Sequence, residues 1–117
     1  MRETQKKGDI AKTQAIYTFT KLGYDVATLI TESARYDLII DVEGKLYRVQ
    51  VKYCDAPDVD LRNIHSNAKG YVIKKIKTND FDWLYIYSPK KGEFLIKESL
   101  VGRSAIRPQE KYRIKEV

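Results

Sequence analysis

Cysteine, histidine and tryptophan each occur once in these 117 residues, and proline three times. A lone thiol, Cys54, cannot close a disulfide within the chain, and it excludes a zinc site built from several cysteines. As a small half-buried residue after a strand, Cys54 needs no redox role. The lone histidine, His65, is expected to be a solvated loop residue, although it could touch a base or a phosphate. No run of about 18 apolar residues exists, which excludes a helix spanning a membrane. The start, MRETQKKGDI, is basic but has no apolar core of the kind a secretory leader needs, so a cytoplasmic protein is expected. Repeats, low-complexity tracts and linkers are also missing, and residues 1–117 are expected to form one domain.

What the chain does have is positive charge. Its formal net charge is +6 and its pI is near 9.3. With 43% hydrophobic and 32% charged residues it is otherwise an ordinary soluble composition. A basic balance favours nucleic acid as partner, because Lys and Arg neutralise phosphates. Nine tyrosines stand against three phenylalanines, and tyrosine suits half-wet surfaces. The stretch KGYVIKKIK sets Tyr71 among Lys69, Lys74, Lys75 and Lys77, which suits either a solvated face or phosphate contacts. Arg62, Arg103 and Arg107 are candidates for bidentate bonds to guanine edges.

Apolar spacing over Gly8–Leu22 predicts a helix whose face carries Ile10, Ala11, Gln14, Ala15, Thr18, Phe19 and Leu22, ending at Gly23. Strands are expected at Asp25–Ile30, Tyr36–Asp41 and Lys45–Cys54, the last two joined by a turn at Gly44. DAPDV is expected to be a loop and LRNIHSN a short strand. Trp83–Tyr87 is the most strand-like run of the second half. It leads through a turn into a hairpin with EFLIKE, and Trp83, Tyr85 and Tyr87 are expected in core and interface. The C-terminal stretch is basic and irregular, with a short strand expected at Tyr112–Ile114.

Within the central hairpin, ARYDLIIDVEGKLYRVQVKY, stand Asp37, Gln50 and Lys52, three groups that are costly to bury without partners. Alternation points Gln50 and Lys52 the same way, one pleat repeat apart. The bland account is a half-buried hairpin with a wet polar face. The chemical account is a phosphodiesterase site. There an aspartate and a side-chain oxygen two residues before a lysine hold Mg²⁺, the backbone carbonyl of Val51 adds a third oxygen, and the lysine serves the attacking water.

The ordered set KKGDI, LGYDV, ARYDLI…YRVQVK and NAKGYVIKK–DFDWLYIY resembles the PD-(D/E)XK nuclease superfamily, and within it the small homing endonucleases encoded in group I introns. The resemblance implies an α+β fold with a restriction-endonuclease-like core, a mixed central sheet flanked by helices. It implies Mg²⁺-dependent cleavage of double-stranded DNA at a specific site, with Mn²⁺ as a possible substitute ion, and a dimer or tetramer as the working form. Asp37 then matches the metal-binding aspartate, Gln50 the second ligand and Lys52 the catalytic lysine, while Ser33 and Arg35 lie where the family approaches the scissile phosphate. One position departs. The family's first helix usually carries a glutamate after a glycine-containing turn. Here GDIAK puts Ala11 and Lys12 in place of that glycine and glutamate. Lys12 would compete with Mg²⁺ for Asp37 if it pointed at the site; if it turned outward, Asp9 or Glu32 could replace the missing ligand. Two other functions fit these residues: a Holliday junction resolvase of archaeal type, and a catalytically inactive nucleic-acid-binding module.

Overall fold

Ala11, Ala15, Thr18 and Phe19 recur at helical spacing, and they are the residues that α1 (Glu3–Lys21) buries. The computed structural model describes residues 3–61, 63–67, 70–74 and 80–115, with 63–67 and 70–74 as backbone only. The helix starts ahead of the expected Gly8 because Gln5, Lys6 and Lys7 are good helix formers. Ile10, expected on the buried face, is instead 42% exposed. The helix stops where Gly23 takes φ +93°. The Tyr24 N–H donates to the Phe19 carbonyl at 3.1 Å and the Gly23 N–H to that of Thr20 at 3.0 Å, the paired bonds of a Schellman cap. Phe19 and Tyr24 stack across this cap with ring centroids 6.3 Å apart.

The strands in chain order are β1 (Asp25–Thr28), β2 (Leu38–Val42), β3 (Lys45–Tyr53), β4 (Val59–Asp60), β5 (Asn63–Asn67), β6 (Gly70–Lys74), β7 (Trp83–Ser88), β8 (Gly92–Ile96) and β9 (Ala105–Ile106). Five of them form a mixed sheet in the order β1-β2-β3-β7-β8. β2 and β3 are joined by a two-residue turn in which Glu43 and Gly44 have φ of 53° and 91°, the left-handed pair of a type I′ hairpin. β3 and β7 run parallel, so the chain between them must return across one face of the sheet. That return carries β4, which pairs with β9, and the separate ribbon β5–β6.

Each face of the sheet has its own core. On the α1 side Ala15 and Phe19 pack on Leu38, Ile40, Val49, Trp83 and Tyr85. On the other side Leu84, Ile86, Phe94 and Ile96 meet Cys54, Val59, Leu61, Leu100 and Ile106. A mixed sheet with its helix on one face and short strand pairs on the other is an α+β fold. Other boundaries also differ from expectation, β2 running Leu38–Val42 rather than Tyr36–Asp41. The first strand ends at Thr28 and leaves the Ile30 side chain fully exposed. The DAPDV stretch reaches into β4, because Val59 inserts into the core. The expected strand at Tyr112–Ile114 is instead a 3₁₀ turn, Glu110–Tyr112, followed by a single bridge from Arg113 to Phe94.

Candidate active site

Asp37 stands one residue before β2, where the chain enters the sheet. Its N–H donates to the Val49 carbonyl at 2.8 Å, and its Oδ2 accepts from the Val51 N–H at 2.8 Å. These bonds fall on either side of Gln50, so backbone groups of β3 fasten the aspartate. Alternation sends Val49 and Val51 toward α1, and Gln50 and Lys52 to the opposite face. There Asp37, Gln50 and Lys52 line one cavity, completed by Ala34, Arg35, Leu61, Asp80 and Phe81. Among the described residues, neither the Gln50 nor the Lys52 side chain has a hydrogen-bond or ion-pair partner.

Arg48, one pleat repeat before Gln50, is differently placed. Its guanidinium donates to both carboxylate oxygens of Asp82, Nε at 3.2 Å and Nη2 at 3.3 Å. Its N–H donates to Asp82 Oδ2 at 2.8 Å, and its carbonyl accepts from the Asp82 N–H at the same distance. The guanidinium holds the Asp82 carboxyl below the usual carboxylate range. Arg48 is thus a fastener between β3 and the approach to β7.

Lys12 lines a second cavity, on the α1 side, together with Asp9, Glu32, Tyr36 and Val51. The two cavities share only Ala34 and Asp37. Val51 lines one and its neighbours Gln50 and Lys52 line the other, so Lys12 and Lys52 approach Asp37 from different sides of β3. No ion pair joins Lys12 to Asp37 among the described residues. At an effective dielectric near 20, a unit charge about 4 Å away would interact by roughly 4 kcal/mol, and the interaction weakens with distance. Asp9 and Glu32, the expected substitutes for the missing glutamate, line the cavity of Lys12 rather than that of Lys52.

The donor set restricts the cation. Among the described residues no three His, Cys, Asp or Glu side chains come close enough to cage a metal ion. The Lys52 cavity offers oxygens from Asp37, Gln50 and Asp80 and no nitrogen or sulfur ligand of the zinc type. A sparse oxygen set suits a hard cation that keeps most of its waters, as Mg²⁺ does.

Residues 2–107 match the family PD-(D/E)XK endonuclease. The chain belongs to that family. Among solved structures it is similar to a bacterial homing endonuclease, I-Ssp6803I, at 29% identity and a TM-score of 0.81. The similarity covers 99% of this chain and 84% of that one. No curated protein matches the sequence.

The remaining candidate residues of this PD-(D/E)XK endonuclease are dispersed. Ser33 and Arg35 are exposed, and Arg35 lines the Lys52 cavity. Arg107 pairs with Asp58 at 3.1 Å, and Arg103 donates to the Ala105 carbonyl at 3.5 Å, both beside the β4–β9 pair. Tyr71 and Lys74 lie on β6, and His65 lies on β5 opposite Val72. Their side chains, together with Arg62, Lys69, Lys75 and Lys77, lie outside the described residues. Asp80 is the carboxylate that sequence reading overlooked. Its only signal there is the acidic pair Asp80 and Asp82 just before the β7 strand.

Proposed function

We propose that this endonuclease cleaves double-stranded DNA at a specific site by Mg²⁺-dependent phosphodiester hydrolysis, as a homing-type enzyme. The observation that carries this is the convergence of Asp37, Gln50 and Lys52 on one cavity, with Asp37 fastened by the Val51 N–H. The likeness to a homing endonuclease at 29% identity supports the substrate class. Bound Mg²⁺ would polarise the scissile phosphate and make a water more acidic. Asp37 and the Gln50 carboxamide, with the Val51 carbonyl, are the oxygens that would hold it. The Lys52 ammonium orients the attacking water and offsets charge developing on the phosphate. Arg35, at the exposed rim, steadies the DNA strand. Recognition of a long, rare site implies more than one copy, most simply a two-fold dimer on a pseudo-palindrome.

The test is Mg²⁺-dependent cleavage of a pooled duplex library spiked with a synthetic four-way junction. Cutting at one duplex site is expected, and Asp37→Ala and Lys52→Ala should each slow it by about 10²-fold or more. Lys12→Glu should leave cutting within a few-fold, since Lys12 lies across β3 from Lys52. Preferential junction cutting would make the chain a resolvase. Cleavage appearing only in Lys12→Glu would mark a nuclease silenced at that position, and none in either a binding module.

A further inference from the structure

We propose that Asp80 supplies the second carboxylate of the cation site, in place of the glutamate that Lys12 displaces. This rests on the reading of the Lys52 cavity as a cation-dependent nuclease site. Asp80 lines the cavity that holds Gln50 and Lys52 beside Asp37, whereas Asp9 and Glu32 line the one that holds Lys12 and Val51 and reaches Asp37 from the helix side. The substitute therefore comes from the opposite side of β3 to the helix.

The charge of the cavity wall points the same way. Without Asp80 the charged groups are Asp37 against Lys52 and Arg35, a net positive wall that disfavours a divalent cation. With Asp80 the wall is balanced. Arg48, on the same face of β3, is bound to Asp82 through the Nε–Nη2 edge of its guanidinium. Asp80 is half-buried and makes no hydrogen bond or ion pair among the described residues; its charge helps to hold that of the nearby Arg48 guanidinium.

Its position is also held. Two residues on, Asp82 is joined to Arg48 by two backbone-anchored bonds of 2.8 Å as well as the guanidinium pair. Phe81 between them packs against the core under the cavity. Asp80 therefore stands two residues from an anchored position, in the lining of the cavity that holds Gln50 and Lys52.

The experiment is a Mn²⁺ titration of the whole protein without DNA, following free Mn²⁺ by electron paramagnetic resonance. The variants are Asp37→Asn, Asp80→Asn, Asp80→Glu, Asp9→Asn and Glu32→Gln. The wild type should bind, Asp37→Asn should lose binding, and Asp80→Asn should weaken it by about tenfold or more. Asp80→Glu should retain most of the affinity, while Asp9→Asn and Glu32→Gln should match the wild type. The shift in melting temperature on adding Mn²⁺ gives a second readout, expected to shrink in Asp80→Asn even if that variant is less stable without metal. Wild-type affinity in Asp80→Asn, with loss in Asp37→Asn, overturns the role of Asp80 and leaves the cation site standing. Loss in Asp9→Asn or Glu32→Gln instead moves the ligand to the helix side and overturns it equally. No binding by the wild type, or no effect of Asp37→Asn, removes the cation-site reading and Asp80's role together.

Discussion

Glu93 shows how single residues tie the helix to the sheet behind the site. Its Oε1 accepts from the Thr18 hydroxyl and from the Tyr85 phenol, each at 2.5 Å, and Oε2 lies 3.5 Å from the Gln14 amide nitrogen. Thr18 and Tyr85 are fully buried, so these bonds replace water that the groups cannot reach. Gln14, read from its spacing as part of the apolar face, is there for this network. Burial, with the bond to Glu93, pushes the Tyr85 phenol far above its ordinary value. The folded chain therefore keeps a proton that the unfolded chain releases above about pH 10. Stability from this group is complete below that pH and is lost as pH rises beyond it. Tyr85→Phe is expected to cost about 1.5–3 kcal/mol at pH 8, the range for a bond to a charged partner. By pH 11 the gap to wild type should narrow by about 1.4 kcal/mol, one unit past the unfolded value. Urea midpoints at the two pH values measure this, and a constant gap would contradict it.

Among the elements, the β2–β3 hairpin does most to place the site, because its register sets Asp37 beside Val49 and Val51. Gly44 closes its far end, where Val42 faces Lys45 and the Gly44 N–H donates to the Asp41 carboxylate at 2.8 Å. A Cβ at Gly44 would meet nothing within 4 Å, so alanine there is penalised only by the left-handed backbone. Gly44→Ala should lower stability by about 1–2 kcal/mol and leave cleavage by the folded protein unchanged. Denaturant midpoints beside cleavage rates check both halves. A large loss of rate in the folded variant would show that the turn controls the site directly. This hairpin was legible because its signals are local: alternation, a turn glycine, and Gln50 and Lys52 two residues apart. The helix cap at Gly23 was legible for the same reason. The parallel pairing of β3 with β7 was not, since nothing near Val49 names Trp83 as its neighbour. The two-residue strands β4 and β9 are too short to show any period. Asp80 escaped because its closeness to Lys52 is made by the return of the chain across the sheet.

For the whole molecule, size and charge bear on how it would meet DNA. Its extents are 47 × 32 × 31 Å, so at 3.4 Å per base pair one copy lies along about 9–14 base pairs. A net charge of +6 favours phosphate contact without conferring sequence choice. Specific cutting at a rare site then needs a longer footprint than one copy provides. If two-fold pairing supplies it, two Lys52 cavities would address the two strands of one duplex, and each strand would be cut by a different copy. Light scattering on the complex with its cleaved duplex should therefore give at least two 13.6 kDa chains per DNA. Mixing wild type with Lys52→Ala should leave a share of duplexes nicked in one strand only. One chain per duplex, with both strands cut by the mixture as by wild type, would mean that a single cavity acts twice.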